Sequence, residues 1–318
     1  MVPEQLTHHF SMKSQKIPTI TGKTSLIGVI GNPIQHSLSP IIHNAAFNEM
    51  DLDWCYLPIR CEKNNLELVL KGLREINCKG LNITIPHKTN VINICNKVDS
   101  IAKKIGAVNT LIPNKMGGWT GSNTDIDGFL YSLQFNNNWT NKKAIILGSG
   151  GSAKAIVFGL QRIGFSEIII VNRKADSIER FLKNLNINQE ESYNKYLKIN
   201  GLLITSLEII EKIQNADLII NTTPVGMYQA GKGKEESNSI PFGEEIWENL
   251  NSKTTLYDLI YNPRTTKWLK IGAKYGCKQI NGLEMLIQQG AESLRKWSGF
   301  QDIPINIMRE AAKNYLLH

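Results

Sequence analysis

Two rhythms of hydrophobic and polar positions run along this chain. Short, almost wholly apolar runs predict strands buried on both faces, and between them lie stretches whose apolar positions recur with a helical period. Leu26–Gly31 reads as the first buried strand, with further strands at Trp54–Ile59 and Leu81–Ile85. A helix is expected from about Ser39, where Pro40 suits the first helical position, and another over Leu66–Ile76. Ala107–Pro113 meets Trp119–Thr120 across Lys115-Met116-Gly117-Gly118, which reads as a hairpin. A second block opens at Lys143–Leu147, followed by a glycine-rich turn, a helix over Ser152–Ile163 and a strand at Glu167–Asn172. Strands recur near Asp217–Asn221 and Thr255–Leu259, and the chain after Gly282 reads as two helices. Strands alternating with helices predict an α/β architecture with mainly parallel strands. The Asn- and Lys-rich stretch Leu185–Gly201 is expected to be a surface excursion, Gln229–Ser239 a flexible loop, and residues 1–25 a loose tail in which Met12 is a second candidate start.

Composition narrows the picture. A length of 318 residues suits two cores better than one. No apolar run approaches the roughly 20 residues that span a bilayer. The formal charge of +8 is spread along the chain, without the interleaved aromatic and basic residues that stack bases, which reads first as a generally basic protein and next as one with an anionic small-molecule ligand, rather than as a nucleic-acid binder. The five cysteines, Cys55, Cys61, Cys78, Cys95 and Cys277, have no zinc or redox spacing. An odd, scattered set suggests free thiols and a cytoplasmic setting. No cluster has metal-ligand spacing.

The strand–turn–helix at Gly148-Ser149-Gly150-Gly151-Ser152-Ala153 carries the clearest chemistry. One glycine permits the tight turn and another lets backbone approach a pyrophosphate. A small residue lets helix pack on strand, and the helix N-terminus offers free N–H groups to phosphate. The next strand ends in Asn172-Arg173-Lys174. Two cations without a carboxylate suit the 2′-phosphate of NADP, whereas Asp176 just beyond is the feature that favours NAD.

Five further motifs flank this turn. They are His36-Ser37-Leu38-Ser39-Pro40, Asn82-Ile83-Thr84-Ile85-Pro86-His87-Lys88, Ala107-Val108-Asn109-Thr110, Asn123-Thr124-Asp125 and Gly282-Leu283-Glu284-Met285-Leu286-Ile287-Gln288-Gln289. In this order, with the nucleotide turn between the fourth and fifth, the chain resembles the shikimate dehydrogenase family from about Leu26 to the C-terminus. The resemblance implies a substrate-binding domain at 26–124 completed by 283–318, with a Rossmann-type NADP-binding domain at 125–282 and the active site between them. It implies reversible reduction of 3-dehydroshikimate to shikimate with NADPH, in the pathway to chorismate and the aromatic amino acids. A ketone that becomes an alcohol needs a hydride on carbon, which the cofactor carries, and a proton on oxygen, which a side chain supplies.

Residue by residue, the resemblance makes Lys88 and Asp125 the catalytic pair. It makes Ser37 and Ser39 the donors to the substrate carboxylate, and it brings Asn82, Thr84, Asn109, Tyr261 and Gln289 to the ring hydroxyls or the lysine. On the cofactor side it implies the six residues Gly148 to Ala153, with Asn172, Arg173, Lys174, Thr222, Met227, Leu259 and Gly282. Taken alone, Ser39 and Asp125 could each cap a helix. Departures from the family pattern stand at Lys174 and Ser177, where the family often has Thr and Arg, and they bear on NADP preference. The alternatives are a quinate/shikimate dehydrogenase accepting NAD and a non-catalytic ligand-binding relative. Monomer and homodimer are both open.

Overall fold

The structure, a computed structural model, describes residues 19–133, 138–185, 197–228 and 238–317. The first sheet has six strands: β1 (Ser25–Gly31), β2 (Trp54–Arg60), β3 (Gly80–Ile83), β4 (Lys97–Val98), β5 (Thr110–Pro113) and β6 (Trp119–Ser122), in the order β2-β1-β3-β5-β6-β4. β1 is parallel to β2 and β3, whereas β5 is antiparallel to β3 and β6, the expected hairpin. The helices α1 (Ser39–Glu49), α2 (Leu66–Glu75) and α3 (Ser100–Ile105) belong to this half. β1 is buried along most of its length because both sheet faces are covered, one by a core containing Ile27, Ile42 and Phe47, the other by one containing Ile30, Leu70 and Leu81.

The chain then runs through α4 (Asp125–Leu133) into the second sheet. This sheet comprises β7 (Lys143–Leu147), β8 (Glu167–Asn172), β9 (Lys198–Leu203), β10 (Leu218–Asn221), β11 (Thr255–Asp258) and β12 (Lys278–Ile280). Its order is β12-β11-β10-β7-β8-β9 with all pairings parallel. That is the doubly wound order, in which the crevice for a ligand opens where the winding reverses, here between β7 and β10. The linking helices are α5 (Gly151–Arg162), α6 (Ala175–Lys183), α7 (Glu208–Gln214) and α8 (Lys267–Lys274).

Two closing helices, α9 (Leu283–Ser298) and α10 (Ile305–Leu317), return to the first half. Leu283, Ile287, Ala291 and Leu294 of α9 enter the core beside β1, and Trp297 donates to the Leu111 carbonyl at 3.0 Å. α4 crosses α9 at Gly128, where a Cβ would come 2.6 Å from the Met285 carbonyl oxygen, so only glycine permits this approach. The other side of α4 packs on α5 through Phe129 against Gly159. α4 thus joins both halves and carries Asp125 at its first turn.

Three expectations change. Leu185–Gly201 is expected to be a surface excursion, yet Lys198–Leu203 forms β9 at the sheet edge; no residue of β9 is fully buried, so it lacks the buried apolar run that marks its neighbours. Residues 186–196 of that stretch, 229–237 of the expected loop and 1–18 of the expected tail lie outside the described residues. β3 stops at Ile83 and not at Ile85, because the chain turns there, with the His87 amide donating to the Thr84 carbonyl at 2.9 Å. Ser39 caps nothing: Leu38 holds the cap position of α1 and makes no side-chain cap bond.

Candidate active site

The chain leaves β3 at its C-terminal end and brings Lys88 toward the first turn of α4. Lys88 Nζ lies 2.6 Å from Asp125 Oδ2 and donates to Ser152 Oγ at 3.2 Å. The side chains of Lys88 and Asp125 are 13% and 6% exposed, so neighbouring protein largely replaces water around the pair. The other carboxylate oxygen, Asp125 Oδ1, accepts from Asn109 Nδ2 at 2.9 Å. The Asp125 amide donates to Asn123 Oδ1 at 3.0 Å, so the asparagine two residues earlier closes the entry to α4. Ion pair, amide and helix entry together hold the carboxylate in one orientation.

Behind this pair lies a continuous polar network. Asn109 Nδ2 also donates to Gln289 Oε1 at 3.3 Å, and Gln289 Nε2 donates to the Leu286 carbonyl at 2.7 Å. Asn82 Nδ2 donates to the Asn109 carbonyl at 3.2 Å and to Ser293 Oγ at 2.9 Å. Tyr56 donates its hydroxyl to Asn82 Oδ1 at 2.7 Å. Tyr56 also contacts the Ser39 side chain, and Tyr261 contacts the Ser37 side chain and the Leu38 backbone. Burial pushes the Tyr261 phenol upward, against those two hydrogen bonds, which keeps it a neutral donor. Ser39 is fixed from behind by His43, whose Nδ1 lies 2.8 Å from the Ser39 carbonyl while its ring stacks on Tyr56 at 4.3 Å. A carbonyl only accepts, so the neutral ring carries its proton on Nδ1. Burial lowers His43 to about 4, so the ring is uncharged near neutral pH. Thr84 lies at the edge of this network, half-buried, its methyl group against Gly31.

A cavity of about 770 Å³ opens between the two halves. Its walls include Ile85, Pro86 and Lys88 from one side, and the turn Gly148–Ser152, Asn172, Arg173 and Thr222 from the other. Gly148 has φ +103°, and a Cβ there would stand 2.7 Å from Thr222 Oγ1, so the turn requires glycine. Nothing lies within 4 Å of where a Cβ of Gly150 would be, leaving backbone open to the cavity. Asn172 donates from Nδ2 to Ser149 Oγ at 2.8 Å, tying the end of β8 to the turn. Lys88 and Arg173 are charged wall residues, and among the described residues of the wall none is acidic. A glycine turn at a helix N-terminus, with cations and no carboxylate, fits a phosphate-bearing dinucleotide.

Not every expected cofactor residue lines this cavity. Ala153 is fully buried in the core, where its small side chain lets α5 pack on the sheet. Lys174, Met227, Leu259 and Gly282 stand outside the walls. Lys174 is exposed at the entry to α6, and Met227 closes a turn with the Pro224 carbonyl at 3.1 Å. Gly282 packs directly on the Leu259 backbone, a contact that leaves no room for a side chain. Sequence reasoning missed Tyr56, Thr110, Thr124 and Ser293. Thr110 and Thr124 sit inside motifs already singled out, and Ser293 lies one helical turn beyond Gln289 on the same face. Tyr56, in the middle of β2, gives no signal of its own.

Two family descriptions match the chain: "Shikimate dehydrogenase substrate binding domain" over residues 29–111 and "Shikimate 5'-dehydrogenase C-terminal domain" over residues 282–313. A curated shikimate dehydrogenase (NADP(+)) of Prochlorococcus marinus (strain MIT 9215) is 48% identical over 297 residues, 93% of this chain and 100% of that one. A crystal structure of shikimate dehydrogenase in complex with NADP+ is 34% identical, covers 94% of this chain and 98% of that chain, and superposes with a TM-score of 0.77. The Thermus thermophilus enzyme in complex with NADP(H) and shikimate is 28% identical, with coverage of 92% and 99% and a TM-score of 0.76.

Proposed function

The chain belongs to the shikimate dehydrogenase family, and from that premise we propose how its residues divide the reaction. It is an NADP-dependent oxidoreductase that reduces 3-dehydroshikimate to shikimate, reversibly, on the route to chorismate and the aromatic amino acids. When bound, the nicotinamide supplies the hydride. Lys88 gives the proton to the oxygen that becomes the alcohol, Asp125 aims the ammonium, and the amine left behind takes its proton back from solvent. Asn109 orients Asp125. Ser37 and Ser39 donate to the substrate carboxylate, with Tyr261 beside Ser37. Asn82, Thr84 and Gln289 face the ring hydroxyls, as amides and hydroxyls that both donate and accept can do. The glycine turn and Thr222 hold the dinucleotide phosphates. Arg173 meets the 2′-phosphate, with Lys174 as its neighbour. Met227, Leu259 and Gly282 shape the nicotinamide end by backbone packing.

The observation that carries this reading is one cavity lined by Lys88 on one side and by the nucleotide turn on the other. The domain assignment follows: 26–124 with 283–318 for substrate, 125–282 for NADP. We assign the enzyme to the cytoplasm on its odd, scattered cysteines. A homodimer is the alternative to a monomer, and sedimentation mass separates the two. The reading is tested by following nicotinamide absorbance with shikimate or quinate against NADP or NAD. Turnover mainly with shikimate and NADP is expected; comparable turnover with quinate or NAD moves the chain to the broader dehydrogenase class, a reading that exposed Asp176 in the first turn of α6 would favour.

A further inference from the structure

Lys88 is held from both halves of the molecule. Its ammonium has three N–H donors. Asp125 takes one and Ser152 takes a second, which leaves the third for the reacting oxygen. Ser152 lies in the nucleotide turn, 64 residues along the chain from Lys88, at the second position of α5. The contact rests on close backbone approach as well. A Cβ at neighbouring Gly151 would stand 3.0 Å from Lys88 Cβ and 3.5 Å from Lys88 Cδ, so the lysine stem is packed against the turn itself. A serine hydroxyl carries one donor and two acceptor sites. Because an ammonium only donates, Ser152 Oγ must accept from Lys88, and its own hydrogen is free to point into the cavity that both residues line. A phosphate held at the α5 N-terminus is the acceptor that this position favours.

We propose that Ser152 is a positioning residue that couples cofactor occupancy to the aim of Lys88, accepting from the ammonium and donating to a dinucleotide phosphate oxygen. The proposal rests on the reading above that Lys88 protonates the substrate. Without cofactor the hydroxyl and the ammonium have freedom to turn together. With the phosphate in place, the hydroxyl is fixed, and the ammonium is left with one direction for its third proton. Each bridging bond polarises the next, so the lysine strengthens the grip on phosphate as well. The two ligand sites thereby share a side chain that touches both.

The test measures NADP+ affinity by fluorescence titration in the parent, Ser152→Ala, Lys88→Met and the double variant. Alanine is the better helix former, so α5 is kept. Loss of one hydrogen bond predicts about a 2- to 10-fold weaker affinity on Ser152→Ala in the parent. The same substitution in the Lys88→Met background should cost clearly less, because the bridge is already broken. Equal losses in the two backgrounds overturn the coupling. Initial rates supply the second arm: Ser152→Ala should lower kcat with the KM for shikimate unchanged, and Ser152→Thr, which keeps the hydroxyl, should restore kcat. A kcat equal to that of the parent in Ser152→Ala overturns the positioning role. A parent that turns over shikimate and shows additive affinities contradicts the coupling alone, whereas a parent that binds no NADP+ contradicts the coupling and the reading beneath it together.

Discussion

Replacing Asp125 by asparagine keeps the shape of the side chain and removes its charge. Oδ2 lies 2.6 Å from the Lys88 ammonium and Oδ1 accepts from Asn109 at 2.9 Å. An asparagine offers an oxygen to one of these donors and an amide NH₂ to the other, so one contact becomes donor against donor. Unit charges at this separation of 2.6 Å attract by roughly 6 kcal/mol at an effective dielectric of about 20. Part of that attraction is offset by the desolvation of two nearly buried groups. A positioned acid–base pair is worth about 10²- to 10⁴-fold in rate. That corresponds to about 2.7–5.5 kcal/mol, a sum the lost attraction is large enough to supply. Asp125→Asn is therefore expected to lower kcat by about 10²- to 10⁴-fold. The KM for shikimate should move less than about threefold, because the hydroxyls of Ser37 and Ser39, proposed to bind its carboxylate, are untouched. Initial rates of NADPH formation decide it, with the thermal midpoint as a check on folding. A kcat within about threefold of the parent would mean that the carboxylate does not control the proton donor.

Two further outcomes follow from the cavity and the core. Removing the cations at the end of β8, Arg173→Ala with Lys174→Ala, should raise the KM for NADP by about 10- to 100-fold, from the worth of hydrogen bonds to a charged group, and leave that for NAD nearly unchanged; equal effects on both cofactors contradict a 2′-phosphate contact. Asp258 is buried at the C-terminal end of β11, where it accepts from Thr266 Oγ1 at 2.7 Å and from the Ile260 amide at 3.1 Å, and burial pushes its carboxyl up to about 7. The folded chain therefore keeps a proton that the unfolded chain has released, so this contribution is full below pH about 4 and is lost as pH rises through about 7. His43 has the opposite sign: its folded value of about 4 lies below the unfolded one, so its contribution is lost as pH falls from about 6.5 toward 4. In urea titrations across that range, Asp258→Asn should gain stability relative to the parent as pH rises, by up to about 1.4 kcal/mol per pH unit; parallel profiles for the two proteins would exclude the buried proton.

Much of the fold was legible because its strands are buried on both faces. β7 and β8 begin and end where their apolar runs do, since a parallel sheet covered on both sides tolerates polar residues only at strand ends. β9 escaped because an edge strand needs no such run: its positions are exposed or half-buried throughout, and it joins the sheet by parallel backbone pairing with β8. The same distinction governs the site. Lys88, Asp125, Asn109 and Gln289 stand in motifs whose order carries information, and the structure brings the four together around one carboxylate and one amide. Tyr56 and Ser293 reach the network only through tertiary packing, from the middle of a strand and the buried face of a helix. Ala153 shows the reverse case. It belongs to the nucleotide turn by sequence, but its side chain serves the core, because a helix that points its N-terminus at a ligand must first pack on the strand behind it.

In the proposed reaction the Lys88 ammonium is the proton donor at the reacting oxygen, and Lys88→Met removes that donor. NADPH formation from shikimate and NADP+ is followed in the variant, alongside binding of both ligands by titration. Turnover should fall by about 10²-fold or more while both ligands still bind. Turnover at the rate of the parent, with both ligands bound, would place the proton donor on another group.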